Sequence, residues 1–275
     1  MAVQPASAQA DATWPPWTAP VALIAGVVLA AILGLLVDLP ALALGVKLTS
    51  SHTPAGIQLA DTFVQDLAFV GAAVYCAHIG GRQVRAWQFG LRTPRNGWAA
   101  AAGAVLVLLL CFGAVSVAWA ALVSPGREKV LDQIGTGVLS AGLVCVVAPM
   151  AEEMLFRGYM FSALRNWRGT QTAAVLTGLL FGAVHAGSAP VLDLVPLAVL
   201  GYGLCLLYRR TGSLYPCMAA HSLNNSVAFA SLASLDVGEG AALAVAGVAG
   251  IALVITALRA AGLIGTASAD ARAGA

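Results

Sequence analysis

Charged residues are scarce in this chain. Asp, Glu, Lys and Arg make up only 9% of its 275 residues, whereas an ordinary soluble domain carries about 25%. With 60% hydrophobic residues and a mean hydropathy of +0.87, the composition excludes a soluble domain and indicates membrane-spanning helices. A long basic run with interleaved aromatic residues is also missing, so nothing indicates nucleic acid as a partner. We therefore expect an all-α fold, a polytopic transmembrane helical bundle that contacts membrane lipid.

Cysteine pairs with metal-binding spacing and the HExxH zinc signature are missing as well. The cysteines show no CxxC spacing, and each falls within an apolar run. This pattern is typical of small buried hydrophobic residues rather than of disulfides or a thiolate metal site. The five cysteines are Cys76, Cys111, Cys145, Cys205 and Cys217.

About eight apolar segments approach the roughly 20 residues needed to cross a bilayer. We predict a disordered N-terminal tail at 1–16, a single transmembrane domain at 17–264 and a disordered C-terminal tail at 265–275. Trp14 and Trp17 are predicted to mark the first membrane interface. The predicted spans are 21–36, 57–79, 98–123, 138–165, 170–187, 190–208, 214–235 and 241–263.

The densest cluster of charge inside an apolar run is Glu152, Glu153 and Arg157. Ionisable residues within a membrane span are costly and indicate a functional site. Glu153 and Arg157 are four residues apart and share a helix face, with the acid in the favourable N-terminal position. Glu152 lies about 100° around the helix and has no such partner. We predict one ion pair that supports the site and one free carboxylate, although a purely structural pair remains an alternative. Pro149, three residues earlier, is expected to kink the helix.

Two later spans carry histidines in regular spacing. Phe181 and His185 are four residues apart, and so are His221 and Asn225, which places each pair on one helix face. Gly178 and Gly182 would let another helix approach the first pair closely. Either pair alone could simply join helices by hydrogen bonds. Together with Glu152, the two histidines form a set that could activate water or hold a metal.

The order of these motifs resembles a known family. Glu152-Glu153-x-x-x-Arg157, Phe181-x-x-x-His185 and His221-x-x-x-Asn225, each on its own span within 138–235, look like the three motifs of the CPBP family. That family comprises type II CAAX prenyl proteases and bacteriocin-processing enzymes and is also called the Abi family.

The resemblance implies an intramembrane endopeptidase that hydrolyses a peptide bond of a lipidated or membrane-inserted protein or peptide. It implies that Glu152 and His185 activate water, that His221 and Asn225 stabilise the oxyanion, and that Glu153, Arg157 and Phe181 support the site. The metalloprotease name given to such enzymes leaves zinc open as a cofactor. Its ligands would then be Glu152, His185 and His221. We favour a metal-free glutamate mechanism.

Two other functions remain as alternatives. The first is a catalytically silent scaffold or immunity factor of the same fold, which would have no need of Glu152, both histidines and Asn225. The second is a proton-coupled transporter that uses Asp66, predicted to lie deep in the second span, together with Glu152. The absence of an internal repeat argues against a transporter. The sequence indicates neither the oligomeric state nor the substrate.

The distribution of basic residues predicts the orientation in the membrane. With eight spans, ten Lys or Arg residues fall on the side of both termini, three fall on the other side and Arg157 lies within a span. Because positive loops face the cytoplasm, both termini are predicted to be cytoplasmic, with the inner membrane of a bacterium as the location.

Reporter fusions test this orientation. Fusions after Arg95, Arg168 and Arg210 should report the cytoplasm, and fusions near Lys129 and Gly238 should report the opposite side, because the loop charges set the topology. A non-cytoplasmic signal at Arg95 or Arg210 would contradict the assignment.

Overall fold

A computed structural model of the chain describes residues 14–48, 53–79, 84–123 and 134–264. In these ranges the protein is helical and contains no β-strand, which confirms the predicted all-α class. The predicted C-terminal tail and most of the N-terminal tail lie outside the described residues. Seven long helices follow one another within these ranges: α1 (Thr18–Ala43), α2 (Ala55–His78), α3 (Gly97–Val123), α4 (Val138–Val184), α5 (Leu194–Thr211), α6 (Leu214–Leu232) and α7 (Val237–Ala260).

The predicted count of eight spans is approximate. Six of the described helices are long and apolar enough to cross a membrane, and α6 is not among them. The predicted fourth and fifth spans form the single 47-residue helix α4, which is broken at Gly169. Gly169 has a φ of 78°, a conformation that glycine adopts without steric cost. The limb before the break thus supplies the acidic motif, and the limb after it carries His185 directly at its C-terminal end.

The first limb of α4 is not a regular α-helix. Residues Leu143–Val147 and Met154–Phe161 are π-helical, and they flank the α-helical turn Ala148–Glu153. The helix therefore continues through Pro149, with a π-helical turn directly before it. Wide turns of this kind are frequent at functional sites.

The ends of the other helices have local causes. Ser213 caps α6 by accepting a hydrogen bond from the Tyr215 amide, and Asp236 and Glu239 form a reciprocal capping box at the start of α7. Gly212, with a φ of 63°, closes α5 in the left-handed conformation. The turn between α5 and α6 is therefore tight.

The connector between α2 and α3 is fastened to that turn. Leu214 donates its amide to the Gly90 carbonyl at 2.8 Å, and the Ser213 hydroxyl donates to the Arg92 carbonyl. Arg92 Nε in turn donates to the Gly212 carbonyl at 2.8 Å. Both loops consequently lie on one side of the bundle, as the predicted topology requires. Which side faces the cytoplasm stays a prediction.

Trp14 belongs to the stretch predicted as a tail, yet it is buried. Its ring lies 4.9 Å from that of Phe89 and 4.8 Å from that of Tyr159, measured between centroids. Trp17, by contrast, is exposed. Cys111 is also exposed, on the outer face of α3, so the expectation that all five cysteines are buried is wrong for this one. An apolar residue on that face is stable when lipid surrounds it.

The second limb of α4 packs closely against α5, as predicted from Gly178 and Gly182. A Cβ added at Gly182 would lie 2.5 Å from the Leu194 carbonyl oxygen, and one at Gly178 would lie 2.7 Å from the Ala198 carbonyl oxygen. The backbone of α5 therefore approaches to a distance that only glycine permits. This contact fixes where Phe181 and His185 stand relative to α5.

Substituting Gly182 should loosen the bundle. Gly182→Ala forces α5 away from α4, and overpacking of this kind costs about 1–3 kcal/mol. Gly103→Ala is the matched control, since no atom lies within 4 Å of a Cβ at that position in α3. Thermal unfolding in detergent should show a lower melting temperature for Gly182→Ala only, and equal melting of both variants would contradict this packing argument.

Candidate active site

The predicted ion pair is present at the centre of the bundle. Arg157 Nη1 donates to Glu153 Oε1 at 2.8 Å, and both side chains are fully buried. Arg157 Nη2 also donates to the Gly201 carbonyl at 3.1 Å. The guanidinium carbon lies 4.4 Å from the centroid of Phe181, close enough for a cation–π contact. Arg157 thus joins the first limb of α4 to its second limb and to α5.

Glu153 has a second partner that the spacing within one helix could not reveal. His221 Nδ1 lies 2.9 Å from the same oxygen, Glu153 Oε1, that accepts from Arg157. A carboxylate oxygen can accept two such hydrogen bonds. The Glu153 carboxylate therefore positions the His221 ring on α6 and is itself held by Arg157.

His185 is oriented by its own helix. Its Nδ1 lies 2.7 Å from the carbonyl oxygen of Phe181, which can only accept, so Nδ1 carries the hydrogen. In the neutral ring Nε2 is then the acceptor nitrogen. The Phe181 ring packs on both histidines, with centroids 5.0 Å from His185 and 5.5 Å from His221.

Asn225 and Ser222 attach α6 to the π-helical turn of α4. Asn225 Nδ2 donates to the Val144 carbonyl at 2.9 Å, and Ser222 Oγ donates to the Cys145 carbonyl at 2.6 Å. Pro149 has no N–H, so it cannot bond to the carbonyl of Cys145 four residues earlier. The Ser222 hydroxyl satisfies that carbonyl instead, which explains how the helix tolerates Pro149 inside the membrane.

Four of the predicted residues line one cavity of about 470 Å³: Glu152, His185, His221 and Asn225. The three supporting residues, Glu153, Arg157 and Phe181, lie behind this wall and do not line it. Glu152 Oε2 stands 3.9 Å from His221 Nε2, beyond hydrogen-bond distance, and has no hydrogen-bond partner in the described part of the chain. The structure therefore brings a carboxylate and two imidazoles to one cavity.

The cavity also has a polar wall from α2 that the sequence motifs do not include. Asp66 is 1% exposed and, as expected from its depth in the span, lies within the bundle. Gln58, Asp61, Thr62 and Gln65 line the cavity beside it. Their spacing of three and four residues within an apolar helix is the signal that could have identified this wall from the sequence.

The residues named as zinc ligands do not form a metal site as they are placed in the described part of the chain. Among the described residues, no three His, Cys, Asp or Glu side chains converge closely enough to hold a metal ion. Glu152, His185 and His221, the set named for zinc, share the cavity without meeting at one point. The catalytic steps proposed below therefore use no metal.

Comparison with known proteins identifies the segment that carries these motifs. Residues 134–227 match the family model of type II CAAX prenyl endopeptidases, Rce1-like. The family resemblance is confirmed. We call residues 134–227 the Rce1-like segment; it agrees with the expected 138–235 except for a few residues at each end. No solved structure matches the chain.

Two bacterial relatives share part of the chain. The chain is 28% identical over 103 residues to a Bacillus subtilis (strain 168) protein named "Putative membrane peptidase YdiL". The aligned region covers 38% of this chain and 41% of that protein. It is 26% identical over 111 residues to "UPF0177 protein YxdF" of Lactococcus lactis, covering 40% of this chain and 59% of that protein. The similarity thus spans roughly half the length of these relatives.

The two acids should respond differently to substitution. Removing one partner of a buried ion pair costs about 3–5 kcal/mol, so Glu153→Ala and Arg157→Ala should lower the melting temperature in detergent. Glu152→Gln should keep the wild-type melting temperature, because Glu152 Oε2 has no hydrogen-bond partner to lose among the residues that the structure describes. If Glu152→Gln and Arg157→Ala lowered the melting temperature equally, the distinction between the two acids would be wrong.

Proposed function

We propose that this integral membrane protein is an intramembrane peptidase of the CAAX-protease type that acts through a metal-free, Glu/His-activated water. The observation that supports it most is the cavity itself, which is lined by all four predicted catalytic side chains, from α4 and its C-terminal end and from α6. The Rce1-like segment contains all four of these residues.

Water is the nucleophile in this proposal. Glu152 accepts one of its protons as general base, and Nε2 of His185 accepts a hydrogen bond from the other hydrogen and so orients the molecule. The water oxygen forms a bond to the peptide carbonyl carbon. Glu152 then returns its proton to the leaving nitrogen as the carbon–nitrogen bond breaks, which yields a carboxylic acid and an amine.

The oxyanion that forms on the carbonyl oxygen as water adds to the carbon needs hydrogen-bond donors. The Asn225 amide group gives one hydrogen to the Val144 carbonyl, and its second hydrogen has no acceptor among the described residues. His221 can donate only from Nε2, because Nδ1 already faces Glu153. In this role the His221 ring must therefore carry a hydrogen on both nitrogens, a condition that the helix spacing did not reveal.

A cysteine or serine side chain is less suited than water to act as the nucleophile in this site. Cys145 and Cys217 are both buried, and neither lines the cavity. Ser222 adjoins His221, but its hydroxyl donates to the Cys145 carbonyl. A lipidated or membrane-inserted peptide is the proposed substrate class, because the cavity lies among membrane-spanning helices.

Substitutions at the site should separate the roles. Glu152→Gln and His185→Ala should lower kcat by about 10²–10⁴-fold or more, whereas Asn225→Ala should lower it by about 10²–10³-fold and leave measurable turnover. The assay uses purified protein in lipid vesicles with quenched fluorescent lipidated and transmembrane peptides.

His78→Ala and Glu239→Gln are the matched controls for those variants. His78 makes the same bond to its own helix as His185, with Nδ1 2.8 Å from the Val74 carbonyl, but it is exposed and outside the cavity. Both controls should keep wild-type activity. If the Glu152→Gln variant retained wild-type turnover, the mechanism would be refuted. If the wild type were also as slow as an inactive variant, a silent scaffold would be favoured.

Chelators and thiol reagents test the alternatives to a metal-free water mechanism. Loss of activity with a strong chelator and recovery with zinc would keep the residues but reassign Glu152, His185 and His221 as ligands. Inactivation by a thiol reagent that Cys145→Ala or Cys217→Ala prevents would instead indicate covalent catalysis.

A further inference from the structure

One face of α2 contributes polar side chains to the cavity that the proposed mechanism does not use. Asp61 and Asp66 are the charged members of this face, and we call it, with its three neutral members, the acidic wall. Asp61 and Asp66 are five residues apart, and each has neutral members three or four residues away, so the whole set lies on one side of the helix. The acidic wall comprises Gln58, Asp61, Thr62, Gln65 and Asp66.

Asp66 is the most unusual residue of the acidic wall. It is 1% exposed, and neither carboxylate oxygen has a hydrogen-bond partner within the described ranges. Buried polar groups in proteins are nearly always paired, and an acid within a membrane span usually marks a path or site for a ligand. Asp66 is thus a buried, unpartnered group on the surface of a cavity.

Among the buried side-chain atoms that the structure describes around the cavity, those without a hydrogen-bond partner are all acceptors. They are Gln58 Oε1, Asp61 Oδ1, both carboxylate oxygens of Asp66 and Glu152 Oε2. No Lys or Arg side chain is among the described residues that line the cavity. A molecule that satisfies these oxygens must therefore supply hydrogen-bond donors, and a positive charge would offset the carboxylates.

A second cavity of about 470 Å³ extends the acidic wall toward α1 and gives it an aliphatic neighbour. The two cavities share Asp61, Thr62 and Gln65. On the α1 side the second cavity is lined only by small or aliphatic residues: Val27, Ala30, Ala31 and Gly34. An aliphatic stem with a cationic end matches both surfaces, because long basic side chains bury their methylene groups and keep their charge among polar partners.

We propose that the peptide substrate carries a lysine or arginine side chain close to the scissile bond, and that this side chain binds between α1 and the acidic wall. Its methylene stem lies along the small residues of α1, and its cation contacts Asp61 and Asp66. A bare metal cation or water alone would leave the aliphatic surface uncovered. This inference rests on the proposed peptidase function, and it assigns the acidic wall as the determinant of substrate charge.

The first test compares peptides that differ in one charge. Quenched fluorescent membrane peptides carry lysine, acetyl-lysine or norleucine at each position within four residues of the cleaved bond. The ratio of kcat/KM for the lysine peptide to that for the neutral peptides should be about 10- to 100-fold at one position, as for a hydrogen bond to a charged group. Equal kcat/KM values for all three side chains at every position would overturn the proposal, and this result needs only the wild-type protein.

Variants then locate the preference. Asp66→Asn and Asp61→Asn should each reduce this ratio, and Asp66→Glu should retain it, because the negative charge rather than the shape of the wall is responsible. Glu239→Gln removes an exposed acid outside both cavities and should leave the ratio unchanged. A ratio that Asp66→Asn and Asp61→Asn leave intact would refute the assignment to the acidic wall.

A binding measurement separates this inference from the proposed function. The Glu152→Gln protein in nanodiscs is titrated with fluorescently labelled lysine and acetyl-lysine peptides, and fluorescence anisotropy gives each Kd. Tighter binding of the lysine peptide that is lost on adding Asp66→Asn would support the acidic wall as a binding site for the cation. This holds even if the wild type hydrolyses no peptide. Missing hydrolysis would refute only the proposed peptidase function. Equal Kd values for the two peptides would overturn the charge preference whether or not hydrolysis occurs.

Discussion

A single carboxylate oxygen, Glu153 Oε1, holds the site together. It accepts from Arg157 at 2.8 Å and from His221 at 2.9 Å, and it thereby connects the first limb of α4 to α6. Arg157 extends the connection to α5 through the Gly201 carbonyl and to the second limb of α4 through the Phe181 ring. Because these groups are buried, each depends on the others to compensate for lost hydration. The orientation of His221 toward the cavity follows from this network.

The backbone of α4 supplies the second constraint. The π-helical turn before Pro149 leaves the carbonyls of Val144 and Cys145 available, and α6 satisfies both through Asn225 and Ser222. An unpaired carbonyl is expensive where no water can reach it, so these bonds fix the rotation and height of α6 beside the acidic motif. A proline that is unfavourable in an isolated helix thus helps to place His221 and Asn225 near Glu152.

The sequence predicted correctly several features that depend only on neighbouring residues. Four-residue spacing predicted the Glu153–Arg157 pair, and the glycines at 178 and 182 predicted the close approach of a neighbouring helix. It did less well where distant segments meet. Two predicted spans form one helix that is broken at Gly169. The burial of Trp14 depends on the Phe89 and Tyr159 rings, which come much later in the sequence. The acidic wall was not recognised as a unit, although its spacing was visible.

The sequence alone determined the membrane environment, the helical class and the family motifs, because composition and periodicity are properties of neighbouring residues. It also separated a paired acid from an unpaired one. Only the tertiary structure decided that Glu153 serves Arg157 and His221 at once, and that Asp66 shares a cavity with Glu152. The donor geometry of His221 and Asn225 was likewise decided there, since it depends on which nitrogen and which amide hydrogen the neighbouring helix already uses. These facts depend on distances between helices, which the packing of side chains and backbone fixes and no local pattern records.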